Sequence, residues 1–216
     1  MREVVKEKAD APARFFEAEA AGLRWLGEAE ERGGARVARV IEVAAGRIRL
    51  ERVATAPADR DAARAFGRAL ARTHDAGAAA FGAPPNGWDG PLYIGRLAQP
   101  ASAERSWGAF YARDRVEVFL RPAVDAGNLA ADDVPLVERA CAVIADGVFD
   151  DDDPPSRLHG DLWNGNVLFS RDGVVLIDPA AHGGHRETDL AMLELFGCPH
   201  LEEVIEGYRL THPLRE

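Results

Sequence analysis

Two polar clusters joined by a short hairpin constrain this chain more than any other feature. The first is His159-Gly160-Asp161-Leu162-Trp163-Asn164-Gly165-Asn166. The second is one acid, Asp178, closing the apolar run Val174-Val175-Leu176-Ile177. Val167–Phe169 and Val174–Ile177 have strand composition, and Ser170-Arg171-Asp172-Gly173 between them is turn-forming, so the segment predicts an antiparallel hairpin. Paired strands lie about 5 Å apart. Asn166, before the first strand, and Asp178, after the second, then end side by side, with Asp161 one loop away.

These residue types suit metal-assisted phosphoryl transfer, in which a protein mainly positions groups and stabilises charge. The first cluster fits the pattern H-x-D-x-x-x-x-N, with Gly160 where a phosphoryl-transfer loop often has Arg. Asp161 is the candidate catalytic base, able to orient an acceptor hydroxyl and take its proton. Asn166 offers a neutral oxygen to a metal and Asp178 an anionic one, and Mg²⁺ takes a few such hard oxygens while keeping waters and phosphates. An isolated H-G-D would read as turn formers capping a hairpin. The joint spacing, with a strand-terminal acid after it, is far more specific. His159 is expected to brace backbone. Trp163 is either packing or a wall of the substrate cleft.

Near the N-terminus, Glu19 shares a helical face with Phe15, Phe16, Leu23 and Leu26. A carboxylate on a packed face needs a cationic partner. Lys6, at the end of the preceding strand Val4-Val5, is the expected one, and such a lysine also holds nucleotide phosphates. Lys8 is the weaker alternative.

The rest of the chain reads as α+β, with strands early and helices later. Asp10 and Pro12 predict the start of a helix running to about Glu30, stopped by Gly33-Gly34. Residues 37–43 and 47–53 read as two antiparallel strands. Asp59 or Asp61 is the expected cap of the next helix, which carries Phe66, Leu70 and Thr73. Residues 76–90 read as loop. Helices are expected around 107–118, 124–128, 135–144 and 187–196, and a last one begins at Leu201. Asp150–Asp153 before Pro154-Pro155 reads as a solvated linker and a poor metal site. His185 and Arg186 either touch substrate or phosphate or belong to a helix-start network. Asp189, on a helix, is expected to accept bonds from the catalytic-loop backbone.

At 216 residues the chain can bury a real core, and 47% apolar with 29% charged residues is ordinary for a globular protein. A net charge of −10 argues against a nucleic-acid partner. Cys141 and Cys198 form no framework and read as reduced thiols. No apolar run reaches membrane-spanning length and the N-terminus has no signal core, so a cytoplasmic location and no membrane partner are expected.

At these motifs the chain resembles the fructosamine (ketosamine) 3-kinase family, a branch of the aminoglycoside-phosphotransferase and protein-kinase-like fold. The resemblance is carried by Leu158–Leu168, by Leu176-Ile177-Asp178-Pro179-Ala180, and above all by Gly184-His185-Arg186-Glu187-Thr188-Asp189-Leu190-Ala191-Met192. Trp88–Gly95 with Gln99-Pro100, Trp107–Tyr111 with Arg121-Pro122, and Val5-Lys6 with Phe15–Glu19 are similar to further family segments.

The resemblance implies a two-lobe fold. A reduced N-terminal antiparallel-sheet lobe would cover residues 1–54 and a mainly helical C-terminal lobe residues 55–216. It implies ATP and Mg²⁺ as cofactors and phosphorylation of the 3-hydroxyl of a small-molecule or protein-bound ketosamine, which leads to deglycation. Asp161 would be base, Asn166 and Asp178 metal ligands, and Lys6 with Glu19 the phosphate-positioning pair. Glu51, Arg52 and Val53 would form the hinge against adenine. The family also has a glycine-rich strand pair before the lysine strand and helices after Tyr208, so this chain reads as shortened at both ends. The alternatives are a kinase of another amine-bearing acceptor, such as an aminoglycoside or a choline-like alcohol, and an inactive pseudokinase.

Overall fold

The computed structural model describes residues 3–214. Glu3–Glu7 is β1, Phe15–Gly27 is α1, Arg36–Val37 is β2, Val40–Ala44 is β3 and Arg47–Glu51 is β4. Strands β1, β4 and β3 form one antiparallel sheet, in that order. The strand period of two explains β4. Ile48 and Leu50 are buried, while Arg49 turns outward to Glu42 at 2.6 Å and Glu3 at 2.9 Å. In α1, Phe16, Ala20, Leu23 and Leu26 fall on one face and are all buried.

Helix α1 starts later than the sequence suggests. Arg14 precedes it in a left-handed conformation with φ 59°. Asp10 is no cap, because its carboxylate is bonded to Arg96 at 2.8 Å. The helix ends at Gly27, and a single 3₁₀ turn covers Glu30–Arg32. The strand expected over 37–43 is broken. Arg36–Val37 leaves the N-terminal sheet and pairs in parallel with Val175–Leu176 of the later hairpin, and Ala38 N–H donates to the Leu176 carbonyl at 2.9 Å. Strand β4 stops at Glu51, short of Val53.

Helix α2 spans Arg60–Asp75, and of the two candidate caps Asp59 fills the role, accepting from Ala62 N–H at 2.9 Å. Leu92–Ile94 (β5) and Leu97–Gln99 (β6) form a hairpin that the sequence pattern did not reveal. Trp107–Tyr111 (α3) runs through a π turn at Ala112–Glu117 into Val118–Asp125 (α4), so the separate helix expected at 124–128 is the end of a longer one. Val134–Ala145 is α5. Ser156–Leu158 (β7) pairs with His182–Gly184 (β10). Val167–Ser170 (β8) and Gly173–Leu176 (β9) form the expected hairpin, with Val167 opposite Leu176.

Glu187–Phe196 is α6 and Leu201–Arg209 is α7. Helix α7 lies against α2 at a backbone-to-backbone approach. A Cβ on Gly67 would overlap the Val204 carbonyl oxygen, and one on Gly207 would overlap that of Arg64. The core joins α1, β4, α2, the β8–β9 hairpin and α7 around Leu23, Leu26, Leu70, Leu176 and Val204. Among the described residues no helix is long and apolar enough to cross a membrane.

Candidate active site

Hairpin β8–β9 sets the site. Its register puts Asn166 opposite Ile177, whose N–H donates to the Asn166 carbonyl at 3.1 Å. A second tie is the His159 ring, whose Nε2–H donates to the Ile177 carbonyl at 2.8 Å, while Nδ1 accepts from Asp161 N–H at 3.3 Å. Burial holds the His159 pKa below the usual histidine value. The neutral ring is therefore a brace, as its position in the sequence suggests.

The Asn166 side chain points back to Asp161. Its Nδ2 donates to the Asp161 carbonyl at 2.8 Å and to Asp161 Oδ2 at 3.1 Å. Both donor bonds use the nitrogen, which leaves Asn166 Oδ1 for a ligand. Burial raises the Asp161 pKa above the usual aspartate value, with Asp178 and Asp189 adding like-charge repulsion against the lowering by His159 and Asn166. A half-buried acid of this kind is suited to proton transfer.

Asp178 has φ 55°, a left-handed conformation that costs a non-glycine residue energy. Its carboxylate meets the Lys6 ammonium in a direct ion pair. Lys6 also donates to Glu19 at 2.8 Å. Burial works against the charge on Lys6, but Glu19 and Asp178 outweigh it and hold its pKa above the usual lysine value. Burial raises the pKa of Glu19, and Lys6 opposes the rise. Lys6, Glu19, Asp161 and Asp178 line one cleft of about 490 Å³. Its far wall is Phe15, Leu92, Tyr93 and Gly95, so the β5–β6 hairpin reaches the site.

Asp189 anchors the loop from below. It is fully buried and accepts from the N–H groups of His159 at 2.7 Å and Gly160 at 3.0 Å. His74 Nε2 approaches the same carboxylate at 3.2 Å. Burial would raise the pKa of Asp189, but the bonds from His74 and the loop outweigh it and hold it below the usual aspartate range. Gly160 has φ 79°, and a Cβ there would overlap the Ala180 carbonyl oxygen, so this position admits glycine and not the arginine of the commoner loop pattern.

Other candidates fall outside this cleft. Glu51 is buried and pairs with Arg36 at 3.0 Å and Arg39 at 3.4 Å, beside a separate cavity of about 380 Å³. A buried carboxylate needs such cations, and the structure does not gather Glu51, Arg52 or Val53 with Lys6. Arg186 is 2% exposed and bonded to Asp75 at 2.8 Å, which makes it part of an internal network. His185 lies 3.1 Å from Asp151 and faces another cavity, lined with Trp107, Tyr111, Phe149 and Leu195. Trp163 is 43% exposed on the loop and lines neither cavity.

The acidic linker is not a solvated loop. Asp150 accepts from Gly108 N–H and from the Ser106 hydroxyl, each at 2.7 Å, at the start of α3. Asp153 pairs with Arg186 at 3.1 Å. Asp151, Asp153 and His185 bring ligand atoms within 4.8 Å of one another, but the Arg186 guanidinium supplies the balancing charge there. Sequence reasoning missed His74 and the wall at Tyr93. His74 carried a signal, since it follows Phe66 and Leu70 along the apolar face of α2 and is itself 0% exposed. Tyr93 carried none.

An antiparallel sheet with a lysine–glutamate pair, followed by a loop and hairpin that converge on one cleft, defines a protein of the kinase-like class. The chain has a TM-score of 0.89 to the crystal structure of a protein assigned to fructosamine-3-kinase from Thermobifida fusca. It is 45% identical to that protein and covers 99% of this chain and 72% of that one. It also has a TM-score of 0.56 to a macrolide 2'-phosphotransferase from Brachybacterium faecium, at 16% identity with 99% and 70% covered, a likeness of fold alone. A family model described as fructosamine kinase matches residues 2–216, and the chain belongs to that family. It is 34% identical to the "Probable ketoamine kinase" of Thermus thermophilus over 197 residues, 91% of this chain and 67% of the relative. A Vibrio parahaemolyticus protein of the same description is 34% identical over 149 residues, 69% of this chain and 49% of the relative. The chain thus spans about half the length of several curated relatives it matches.

Proposed function

We propose that the protein transfers the γ-phosphoryl group of ATP to a sugar hydroxyl of a small-molecule or protein-bound ketosamine. The product releases its amine, which makes the reaction a deglycation step. One observation carries the reading: in a member of the fructosamine kinase family, Lys6, Asp161 and Asp178 meet in a single cleft, with Asn166 bonded to Asp161.

The donor set fits a hard divalent cation. Asn166 Oδ1 and the Asp178 carboxylate are neutral and anionic oxygens on adjoining strand ends, and Mg²⁺ favours such a pair. When bound, Mg²⁺ with the nucleotide neutralises charge on the transferring phosphoryl group. Asp161 accepts the acceptor hydroxyl's proton, and its raised pKa brings it closer to working pH. Asn166 holds that carboxylate in place. Glu19 fixes Lys6, which turns to the nucleotide's phosphates.

Residues 1–54 serve as the nucleotide lobe and 55–216 as the acceptor lobe in this reading. Glu51–Val53, which leads from β4 toward α2, offers main-chain groups to adenine.

The test is Mg²⁺-dependent ADP release with a glycated lysine, an aminoglycoside and choline as acceptors. Turnover is expected with the glycated lysine. Asp161→Asn is expected to lower kcat by roughly 10²–10⁴ with an unchanged Tm. Full turnover by that variant would remove Asp161 as base, and preference for another acceptor would reassign the substrate.

A further inference from the structure

Tyr208 sits on the last helix, yet a path of buried hydrogen bonds joins it to the catalytic loop. Tyr208 and His74 are each 0% exposed. The Tyr208 hydroxyl lies 2.7 Å from His74 Nδ1, and His74 Nε2 lies 3.2 Å from Asp189 Oδ2. Asp189 in turn receives the His159 and Gly160 amides. Arg186 Nη1 reaches the same Tyr208 hydroxyl at 3.4 Å.

Chemistry gives the path one direction. Ionised Asp189 only accepts, so His74 Nε2 carries a proton. A neutral imidazole protonated there has a bare Nδ1, which takes the Tyr208 O–H. The tyrosine oxygen is then left to accept from Arg186. An imidazolium would donate from both nitrogens and share the tyrosine oxygen with the Arg186 guanidinium, placing two cations on one atom. The neutral Nε2–H form satisfies every group in the path.

We propose that Tyr208 is a positioning residue for the catalytic loop. Acting through His74, it orients the Asp189 carboxylate that holds the loop's two amides, and so fixes where Asp161 stands. The backbone approach at Gly67 and Gly207 seats α7 on α2, with Arg64–Glu206 at 2.6 Å closing the rim. The docking of the last helix is thereby read out at the site. The catalytic consequence rests on the kinase reading above, but the structural relay does not.

Tyr208→Phe keeps the ring and removes only the hydroxyl. Amide hydrogen exchange on the full chain is expected to quicken about two- to tenfold at His159 and Gly160, the worth of one hydrogen bond, with β8–β9 amides unchanged. The kcat is expected to fall by a similar factor at constant KM for ATP. A purely structural tyrosine would instead lower Tm and speed exchange throughout. Long-range ¹H–¹⁵N spectra of the unmutated protein are expected to show His74 as the Nε2–H tautomer. This holds the relay to account even where the variant does not fold. An Nδ1–H tautomer or an imidazolium, or unaltered exchange at both amides in folded Tyr208→Phe, would overturn it. A wild-type protein without turnover would count against the kinase reading alone, since exchange and tautomer are read without catalysis.

Discussion

Lys6 and Asp178 stand 172 positions apart in the chain and meet in a direct ion pair on the wall of the cleft. In the proposed function Asp178 would hold the metal and Lys6 would meet the nucleotide's phosphates. Each would therefore have to leave the other to take up its ligand. On that reading Asp178 would turn to the metal and Lys6 to phosphate, while Glu19, 2.8 Å from Lys6, would keep its hold on the lysine.

On this reading nucleotide binding is expected to depend on the metal. In thermal unfolding, ATP with Mg²⁺ at a hundredfold its Kd is expected to stabilise the protein by about 2.7 kcal/mol. Asp178→Asn is expected to remove most of the Mg²⁺-dependent part and leave the effect of ATP alone. An unchanged Mg²⁺ effect in that variant would take Asp178 out of the metal site.

Glu19 is largely buried, and its partner is what makes that burial tolerable. Lys6→Met is expected to cost about 1–3 kcal/mol in urea unfolding, because it strands a carboxylate in a packed face. Lys6→Met with Glu19→Gln is expected to recover most of the loss, since both charges are then gone. A double variant as unstable as the single would show that the lysine contributes packing and not charge.

His182 gives a pH signature. Burial, aided by Arg115, lowers its pKa to about 4, and Nδ1–H donates to the Ala180 carbonyl at 2.8 Å. The folded state therefore keeps the ring neutral where the unfolded chain, with a pKa near 6.5, already takes up a proton. Stability from this group is fully present above pH 6.5 and falls as pH drops toward 4, by about 3 kcal/mol in all. His182→Asn is expected to flatten that limb in unfolding measured from pH 7 to 4.5. A slope equal to wild type would place the acid sensitivity elsewhere.

The contact between α2 and α7 tolerates no added methyl group. Gly67→Ala is expected to destabilise by about 1–3 kcal/mol, since its Cβ meets backbone that cannot rotate away. Gly87→Ala has open space around it, but Gly87 has φ 75°, so any cost there is backbone conformation alone. Chemical denaturation of both variants separates steric overlap from strain.

The convergence of Asp161, Asn166 and Asp178 was legible because it is local. The loop, its hairpin and Asp178 lie within twenty consecutive residues, and strand pairing fixes their mutual distance before any distant contact forms. Glu19 was legible for a similar reason, since helical spacing put it among Phe15, Phe16 and Leu23. The start of α1 was misread because Asp10 is taken by Arg96, at the turn of a hairpin whose two three-residue strands are too short to show a pattern. The acidic linker was misread because its partners, Ser106, Arg186 and His185, lie far off in sequence.

The amino-acid order thus determined which side chains could do the chemistry and which face of each element carries them. Only the tertiary structure decided that Lys6 spans Glu19 and Asp178, that Arg186 is internal, and that Tyr208 reaches the catalytic loop. Periodicity and spacing report geometry along one element. Contacts between elements depend on how helices and sheets pack, and no local pattern encodes that separation in space.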